Sequence, residues 1–307
     1  MSPTERTTEL LEVLQWPRVG PVTARSFLAN TAGGASIVAT AKKIGPVPNQ
    51  MALELARRER DDILARCDRL GIALVGLCDR QYPTALSMIA DPPPILYVRG
   101  STEVLSRTAV AVVGTRKASV SGGAFARAFA RVIAAKGFVV VSGLAIGIDT
   151  HAHEGALAGG GITVAVLAHG LDIVEPTSNR DLAERLLFGG GALVSEHPPG
   201  VPPRRPEFVR RNRIQSGLCL GSIIVETDAT GGSIHQAKFT KSQGRTVMTV
   251  IAESEQTRGD LNEAGARLLV VSAGAIPLRG NKDLVRELER LPAPRRAPSK
   301  KSTPTLL

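Results

Sequence analysis

From residue 109 onward the chain alternates between short apolar runs and stretches with helical spacing. The first run, Ala109–Val113, is continuous, rich in β-branched residues and closed by Gly114. Strands that are apolar on both faces are typical of a parallel sheet covered by helices on two sides. Further strands are predicted at residues 138–141, 162–167, 192–194, 223–225, 246–251 and 268–271. The predicted fold class is therefore α/β, with a Rossmann-like, doubly wound, mostly parallel sheet formed by residues 108–290.

The rest of the chain divides into three segments. Residues 1–70 are rich in Leu, Ala, Arg and Glu and are predicted to form a small helical domain. The turn at Gly20 and Pro21 resembles a SAM or helix-hairpin-helix module, whose backbone amides hold a phosphate, although an ordinary helix–helix turn explains the same residues. Residues 71–107 are predicted to be a connecting segment that three successive prolines keep from being helical. Residues 291–307 are predicted to be a disordered basic tail.

The charge of the chain points to a polyanionic partner. Its 38 Lys and Arg outnumber its 28 Asp and Glu, which gives a net charge of +10. Such a balance suits nucleic acid, a nucleotide or an anionic membrane. The membrane is disfavoured because no apolar run approaches the ~20 residues of a spanning helix. The chain does not start with a signal-peptide pattern, and Cys67, Cys78 and Cys219 are far apart, so a cytoplasmic protein with reduced thiols is predicted.

Three glycine-containing loops follow predicted strands. They contain Gly114-Thr115-Arg116, residues 142–149 and residues 230–233. Ligands of parallel sheets bind beyond the carboxyl ends of the strands, where glycines let backbone amides approach phosphate. The G-x-G-x-x-G dinucleotide fingerprint is absent after the first strand, and so is a Walker A sequence. We therefore expect a phosphate-binding edge that is not an ordinary NAD or ATP site and needs no cofactor.

An arginine-rich stretch surrounds a single aromatic residue. Five arginines and one acid lie between residues 201 and 216, with Phe208 among them. Guanidinium groups bind phosphates bidentately, and a base of any identity stacks on an aromatic ring. The pattern is that of a single-stranded nucleic-acid site. The alternative is a solvated arginine face with Phe208 in the core.

Other polar residues invite a catalytic or metal-binding interpretation. Asp149, His151, His153 and His169 hold metal-ligand atoms, but residues two apart on a helix point to different faces. We expect no metal there; Asp149 or Thr150 is predicted to cap a helix and the histidines to form local hydrogen bonds. Glu196 and Glu226 end predicted strands, yet no nucleophile–His–acid set accompanies them, so caps or arginine partners are the expected roles.

The order of the motifs resembles the DNA-processing protein A (DprA or Smf) family. The sequence reads VVGTR at 112–116, SGLAIGIDTHAH at 142–153, SEHPPG at 195–200 and FVRRNRI at 208–214. Upstream, DRQYPTAL at 79–86 and PPILYVRG at 93–100 are similar to the usual lead-in of the family. The likeness covers about residues 70–250.

The resemblance implies a single-stranded DNA-binding homodimer that protects incoming strands. Such proteins load the RecA recombinase during natural transformation or recombination, and they catalyse nothing. Arg116 and Arg205 take the positions of family residues that contact DNA, and Phe208 that of the residue that stacks a base. The full DNA-binding set predicted here is Arg116, Ser142, Gly143, Ala145, Arg205, Phe208, Arg211, Asn212, Arg213, Gly232 and Ser233.

The chain departs from the family pattern in its last third. GGSIHQA at 231–237 replaces a Ser-Gly-Ser-Leu-x-Thr-Ala sequence, and Ile251-Ala252 replaces a Pro-Gly pair. Family dimer contacts are expected in this region, so these changes bear on the dimer and on the recombinase contact. Two other functions stay open. One is a Rossmann-like enzyme that cleaves nucleoside monophosphates with Glu226 and the glycine loop at 231–233; the other is a homologue that has lost DNA binding.

Overall fold

One mixed sheet forms the centre of the protein. The computed structural model describes residues 2–292, and the predicted basic tail lies outside this range from residue 293 onward. The strands of the described part are β1 Ile72–Gly76, β2 Ile95–Gly100, β3 Ala109–Val113, β4 Val139–Ser142, β5 Thr163–Val166, β6 Ala192–Ser195, β7 Gly221–Ile224, β8 Thr246–Val250 and β9 Ile276–Leu278. Their order in the sheet is β1-β2-β6-β5-β4-β3-β7-β8-β9.

The order of the strands is that of a doubly wound sheet. From β3 the chain first adds β4, β5 and β6 on one side, then crosses back to add β7, β8 and β9 on the other. Strands β3 to β9 all pair in parallel. The predicted fold class is confirmed.

Helices cover both faces of the sheet because the side chains of each strand alternate between them. The helices are α1 Glu5–Leu14, α2 Pro21–Ala29, α3 Ile37–Ile44, α4 Gln50–Arg69, α5 Thr84–Ser87, α6 Val120–Ala135, α7 Ile148–Ala158, α8 Arg180–Phe188, α9 Arg205–Leu218, α10 Gly232–Ser242, α11 Glu255–Arg258, α12 Ala264–Ala273 and α13 Asn281–Arg290. In β3, Val110 and Val112 pack with α6, α7 and α13. On the opposite face Ala109 and Ala111 pack with α9, and α10 and α12 cover the end of the same face.

Two sequence predictions about the elements are wrong. Residues 268–271 are not a strand but part of α12; Leu269 is buried there while Val271 is 88% exposed, which is helical rather than strand spacing. A short apolar run does not distinguish a buried strand from a helix segment, and the last strand is β9 instead. Residues 71–107 do more than connect, because β1 and β2 extend the sheet, with β2 antiparallel to both β1 and β6.

The N-terminal helices share a core with the sheet. Leu10, Trp16 and Ile63 are buried in one cluster with Leu74 of β1 and Leu193 of β6. The turn between α1 and α2 places Gly20 at the N-cap of α2, with Pro21 as its first residue. Within residues 2–292 no helix is both long and apolar enough to cross a bilayer.

The histidines around α7 make separate local contacts. His153 is fully buried with its Nδ1 2.7 Å from the hydroxyl of Thr163, which itself donates to the carbonyl of Val140. His151, on another face of the helix, lies 3.1 Å from Arg127. The predicted side-chain cap of α7 is wrong: Gly147 is the N-cap, and no side chain caps the helix.

Burial makes His153 a source of pH-dependent stability. Burial lowers the pKa of His153 to about 3, below its usual value of 6.5. As pH falls below 6.5, His153 becomes protonated in the unfolded chain but stays neutral in the folded one. The unfolded state is thereby favoured, and the free energy of unfolding decreases. In urea titrations we expect the wild type to lose about 2 kcal/mol more between pH 7 and pH 5 than His153→Asn does. His151→Asn is the control and is expected to behave as wild type; equal pH dependence in all three proteins would contradict this account.

Candidate nucleic-acid interface

A cleft opens where the winding of the sheet reverses. β3 lies between β4 and β7, and the loops that follow β3 and β7 diverge at their carboxyl ends, which is where open α/β sheets bind ligands. The cleft has a volume of about 510 Å³. It is lined by residues of the loops after β3, β4 and β7 and of helices α9 and α10: Val113, Gly114, Thr115, Arg116, Ala145, Asp149, Arg205, Phe208, Val209, Arg211, Asn212, Gln215, Thr227, Asp228, Gly231, Gly232, Ser233 and Gln236.

The loop after β3 is held in place by the loop after β4. The amide of Thr115 donates to the carbonyl of Glu226 at 2.7 Å, and that of Ile148 donates to the carbonyl of Thr115 at 3.1 Å. Gly147 has φ +82°, and a Cβ there would lie 2.5 Å from the Thr115 oxygen. Only glycine fits this backbone conformation and this close approach without strain. The side chain of Arg116 is therefore presented from a fixed backbone.

The wall formed by α10 offers unpaired polar groups. Its N-cap is Gly231, which has no side chain to bond the first amides of the helix. Such an N-terminus favours an anion, because its free N–H groups and the helix dipole both point at the ligand. Ser233 and Gln236 of the same helix, and Gln215 of α9, are buried yet each has a polar atom without a hydrogen-bond partner. Sequence analysis missed both glutamines.

The opposite wall is the start of α9 rather than a loop. Arg205 is the first residue of this helix, and Pro206 fits its first turn. Arg205 is exposed, and Phe208 and Asn212 are half-buried along the cleft. The guanidinium carbon of Arg116 lies 5.1 Å from the centroid of the Phe208 ring, in cation–π contact. The structure thus brings Arg116, Arg205, Phe208 and Asn212 together, with Ala145, Gly232 and Ser233 lining the same space.

Arg211 lies in the floor of the cleft and is almost fully buried. Its side chain is buried and donates to the carbonyls of Gly143 and Val166. A Cβ at Gly143 would lie 2.5 Å from both terminal nitrogens of Arg211 and 2.7 Å from the carboxylate of Asp149. Gly143 therefore leaves the space in which these two charges face each other. DNA contact by Arg211 and Gly143 stays a prediction; in the structure both residues support the floor of the cleft.

The two charges act on each other's ionisation. Burial lowers the pKa of Arg211 to about 10, and the carboxylate of Asp149 opposes that shift. Burial raises the pKa of Asp149, whereas the charge of Arg211 and the amide of Gly143 lower it. The Gly143 amide donates to Asp149 Oδ2 at 3.0 Å. The pair thus ties the loop after β4 to α9.

Arg213 and Ser142 do not reach the cleft. The Arg213 side chain is 2% exposed and forms ion pairs with Glu196 and with Asp91, the latter at 3.2 Å. Ser142 is buried and donates to the carbonyl of Val112 at 2.7 Å. DNA contact by these two residues stays a prediction that their burial does not favour. Arg213 points away from the cleft because it lies five residues, or about 140° of helix rotation, beyond Phe208.

Glu226 has a structural position in a neighbouring cleft. One carboxylate oxygen accepts from the amide and hydroxyl of Ser119, the N-cap of α6, and the other accepts from the amide of Asn262 at 3.0 Å. It does not line the main cleft with the glycine loop at 231–233. The expected role as a partner of a helix terminus accounts for both of its oxygens.

The geometry defines a Rossmann-like protein with a cleft at the switch point of its sheet. The chain belongs to the family of DNA recombination-mediator protein A, whose family model matches residues 73–289. The resemblance read from the motifs is confirmed, and the match includes β1 and β2.

Curated relatives come from several bacteria. Protein Smf of Escherichia coli is 38% identical over 201 residues, which cover 66% of this chain and 54% of that protein. The DNA processing protein DprA of Bacillus subtilis is 34% identical over 229 residues, or 74% of each chain. The chain therefore spans only about half the length of the E. coli relative.

Two solved structures of DprA proteins share the fold of this chain. The X-ray structure of DprA from Streptococcus pneumoniae has a TM-score of 0.75 and 28% identity, and the match covers 94% of this chain and 99% of that one. DprA from Helicobacter pylori, described for its single-stranded DNA binding mode, has a TM-score of 0.63 and 25% identity, with coverage of 71% and 96%.

The buried position of Arg211 predicts that its removal destabilises the fold. Arg211→Met leaves Asp149 without its opposing charge and two carbonyls without their donor. We expect the free energy of unfolding to fall by about 3–5 kcal/mol. Arg210→Met, the same change at the exposed neighbouring residue, is expected to stay within about 0.5 kcal/mol of wild type. Equal stability of the two variants in urea titrations would show that Arg211 is not a structural residue.

Proposed function

We propose that the chain binds single-stranded DNA in the cleft and acts as a recombination mediator. The observation that carries the proposal is the arrangement of Arg116 over the half-buried ring of Phe208, opposite the uncapped N-terminus of α10. The arrangement supplies a cation, a flat apolar surface and free amides within one space. These are the groups that bind phosphate and a stacked base.

The shape of the cleft favours an unpaired strand. Its volume of about 510 Å³ is that of a small-molecule pocket, large enough for a nucleotide whose base is not paired. In the proposed complex the guanidinium of Arg116 turns to a phosphate, and a base takes its place on Phe208. Arg205 at the rim contacts a second phosphate. The buried polar atoms of Gln215, Ser233 and Gln236 then pair with the bound nucleotide.

The contacts proposed here carry little sequence information. Arg116, Arg205 and the amides of α10 bind the backbone, and stacking on Phe208 accepts every base. A net charge of +10 adds long-range attraction for a polyanion. Binding without sequence preference suits a protein that handles any incoming strand.

The wider role follows the family. We propose that the protein is a cytoplasmic homodimer that protects single strands and loads a RecA-type recombinase, without catalysing a reaction. Family membership and the single-stranded DNA binding described for the H. pylori relative support this role. The sequence departs from the family pattern at residues 231–237 and 251–252. We therefore expect this chain to differ from its relatives in its dimer contacts and in its contacts with the recombinase.

Phe208→Ala tests the stacking contact. Because one stacked base is worth ~1–3 kcal/mol, we expect affinity for a labelled oligothymidylate to fall about ten-fold or more. The ring is only half-buried, so the melting temperature is expected to change by less than about 2 °C. The matched control is Phe188→Ala, since Phe188 is 97% exposed on α8 and lies outside the cleft.

Two outcomes of the Phe208→Ala experiment contradict the proposal. Unchanged affinity, measured by fluorescence anisotropy, would exclude stacking on this ring. A large fall in melting temperature would identify Phe208 as a core residue whose loss unfolds the site.

A further inference from the structure

Three metal-ligand side chains meet where β6 leads to α9. Glu196 and His197 directly follow β6, and Glu207 lies in the first turn of α9. One ligand atom from each residue lies within 4.8 Å of the other two. Across residues 2–292 this is the one group of three His, Cys, Asp or Glu side chains with ligand atoms so close.

Two buried carboxylate oxygens of this cluster have no hydrogen-bond partner in the protein. The Glu196 side chain is only 8% exposed; one oxygen is paired with Arg213, and the other, Oε1, is buried with no hydrogen-bond partner. Oε2 of Glu207 is also buried without one. It lies 3.3 Å from Nε2 of His197, but the pair does not have hydrogen-bond geometry. Buried carboxylate oxygens are costly when unpaired, so a missing positive partner is indicated.

The donor set identifies the class of that partner. One imidazole and two carboxylates suit a divalent transition-metal ion, and Zn²⁺ takes such ligands at about 2.0–2.2 Å in a tetrahedron. Tetrahedral ligands at that distance are about 3.4 Å apart, so the three side chains need to close by at most about 1.4 Å. Water is available for the fourth position.

Arg213 has the position of a residue that orients a ligand. It holds Oε2 of Glu196 and also pairs with Asp91 at 3.2 Å. Outer hydrogen bonds of this kind fix the orientation of ligating side chains. Because Arg213 occupies Oε2 of Glu196, Oε1 is the oxygen that remains free to bind an ion.

We propose that Glu196, His197 and Glu207 bind one divalent transition-metal ion. The ion joins the end of β6 to the first turn of α9, which carries Arg205 and Phe208. It therefore fixes the start of the helix that forms one wall of the cleft. This inference rests on the geometry of the cluster and is independent of DNA binding, so its failure leaves the proposed function intact.

Calorimetric titration of the metal-free protein with ZnCl₂ tests the site. We expect one ion per chain, and at least ten-fold weaker binding by both His197→Asn and Glu207→Gln. His151→Asn is the matched control, because His151 lies 3.7 Å from Glu154 in another histidine–carboxylate pair. This control is expected to bind as wild type. Zinc should also raise the melting temperature of wild type and of the control, but not that of the two site variants.

The binding ligands are checked with Co²⁺ as a spectroscopic probe. Visible d–d bands without a thiolate-to-cobalt charge-transfer band are expected, since the site contains no cysteine. No zinc binding by wild type would overturn the proposal and leave His197 and Glu207 as neighbouring side chains without a metal. Unchanged binding in the two site variants, or a thiolate band that marks Cys67, Cys78 or Cys219 as the ligand, would overturn it as well.

Discussion

The buried guanidinium of Arg211 is the interaction on which the geometry of the cleft depends. It binds two carbonyls at the ends of neighbouring strands, and it faces Asp149 across a glycine that no larger residue can replace without a clash. A buried charge of this kind is tolerated only while its partners are in place. The loop after β4, the start of α7 and helix α9 are therefore fixed relative to one another. That arrangement holds Arg116 and Phe208 together, facing the N-terminus of α10 across the cleft.

In the proposed complex the two walls of the cleft make different contacts with a nucleotide. One wall consists of backbone amides at the start of α10, whose positions are set by the helix itself. The other consists of side chains at the start of α9, where Arg205 and the ring of Phe208 both line the cleft. Preorganised groups need little ordering when a ligand binds, so more of their interaction energy remains as affinity. The parallel sheet provides both walls because its winding reverses between β3 and β7.

Sequence patterns predicted the sheet better than they predicted the site. Continuous β-branched runs identify buried parallel strands. The run at 268–271 is equally apolar but helical, because four apolar residues in a row occur both in a buried strand and in a partly buried helix. The charges in α9 show the same difficulty. Arg205 and Arg211 look alike in the sequence, yet one is exposed and the other buried. Once a helix is assumed from residue 205, the spacing of 205, 208, 212 and 215 defines one face and would have revealed Gln215.

The central claim is that the cleft binds unpaired DNA, mainly through its phosphates. The most direct test is titration of the purified protein with a labelled single strand and with the matching duplex at two salt concentrations. We predict tighter binding of the single strand at both, and a fall of log affinity with log salt of about 0.7 for each phosphate neutralised. Equal affinity for the two forms, or binding that does not respond to salt, would contradict the account.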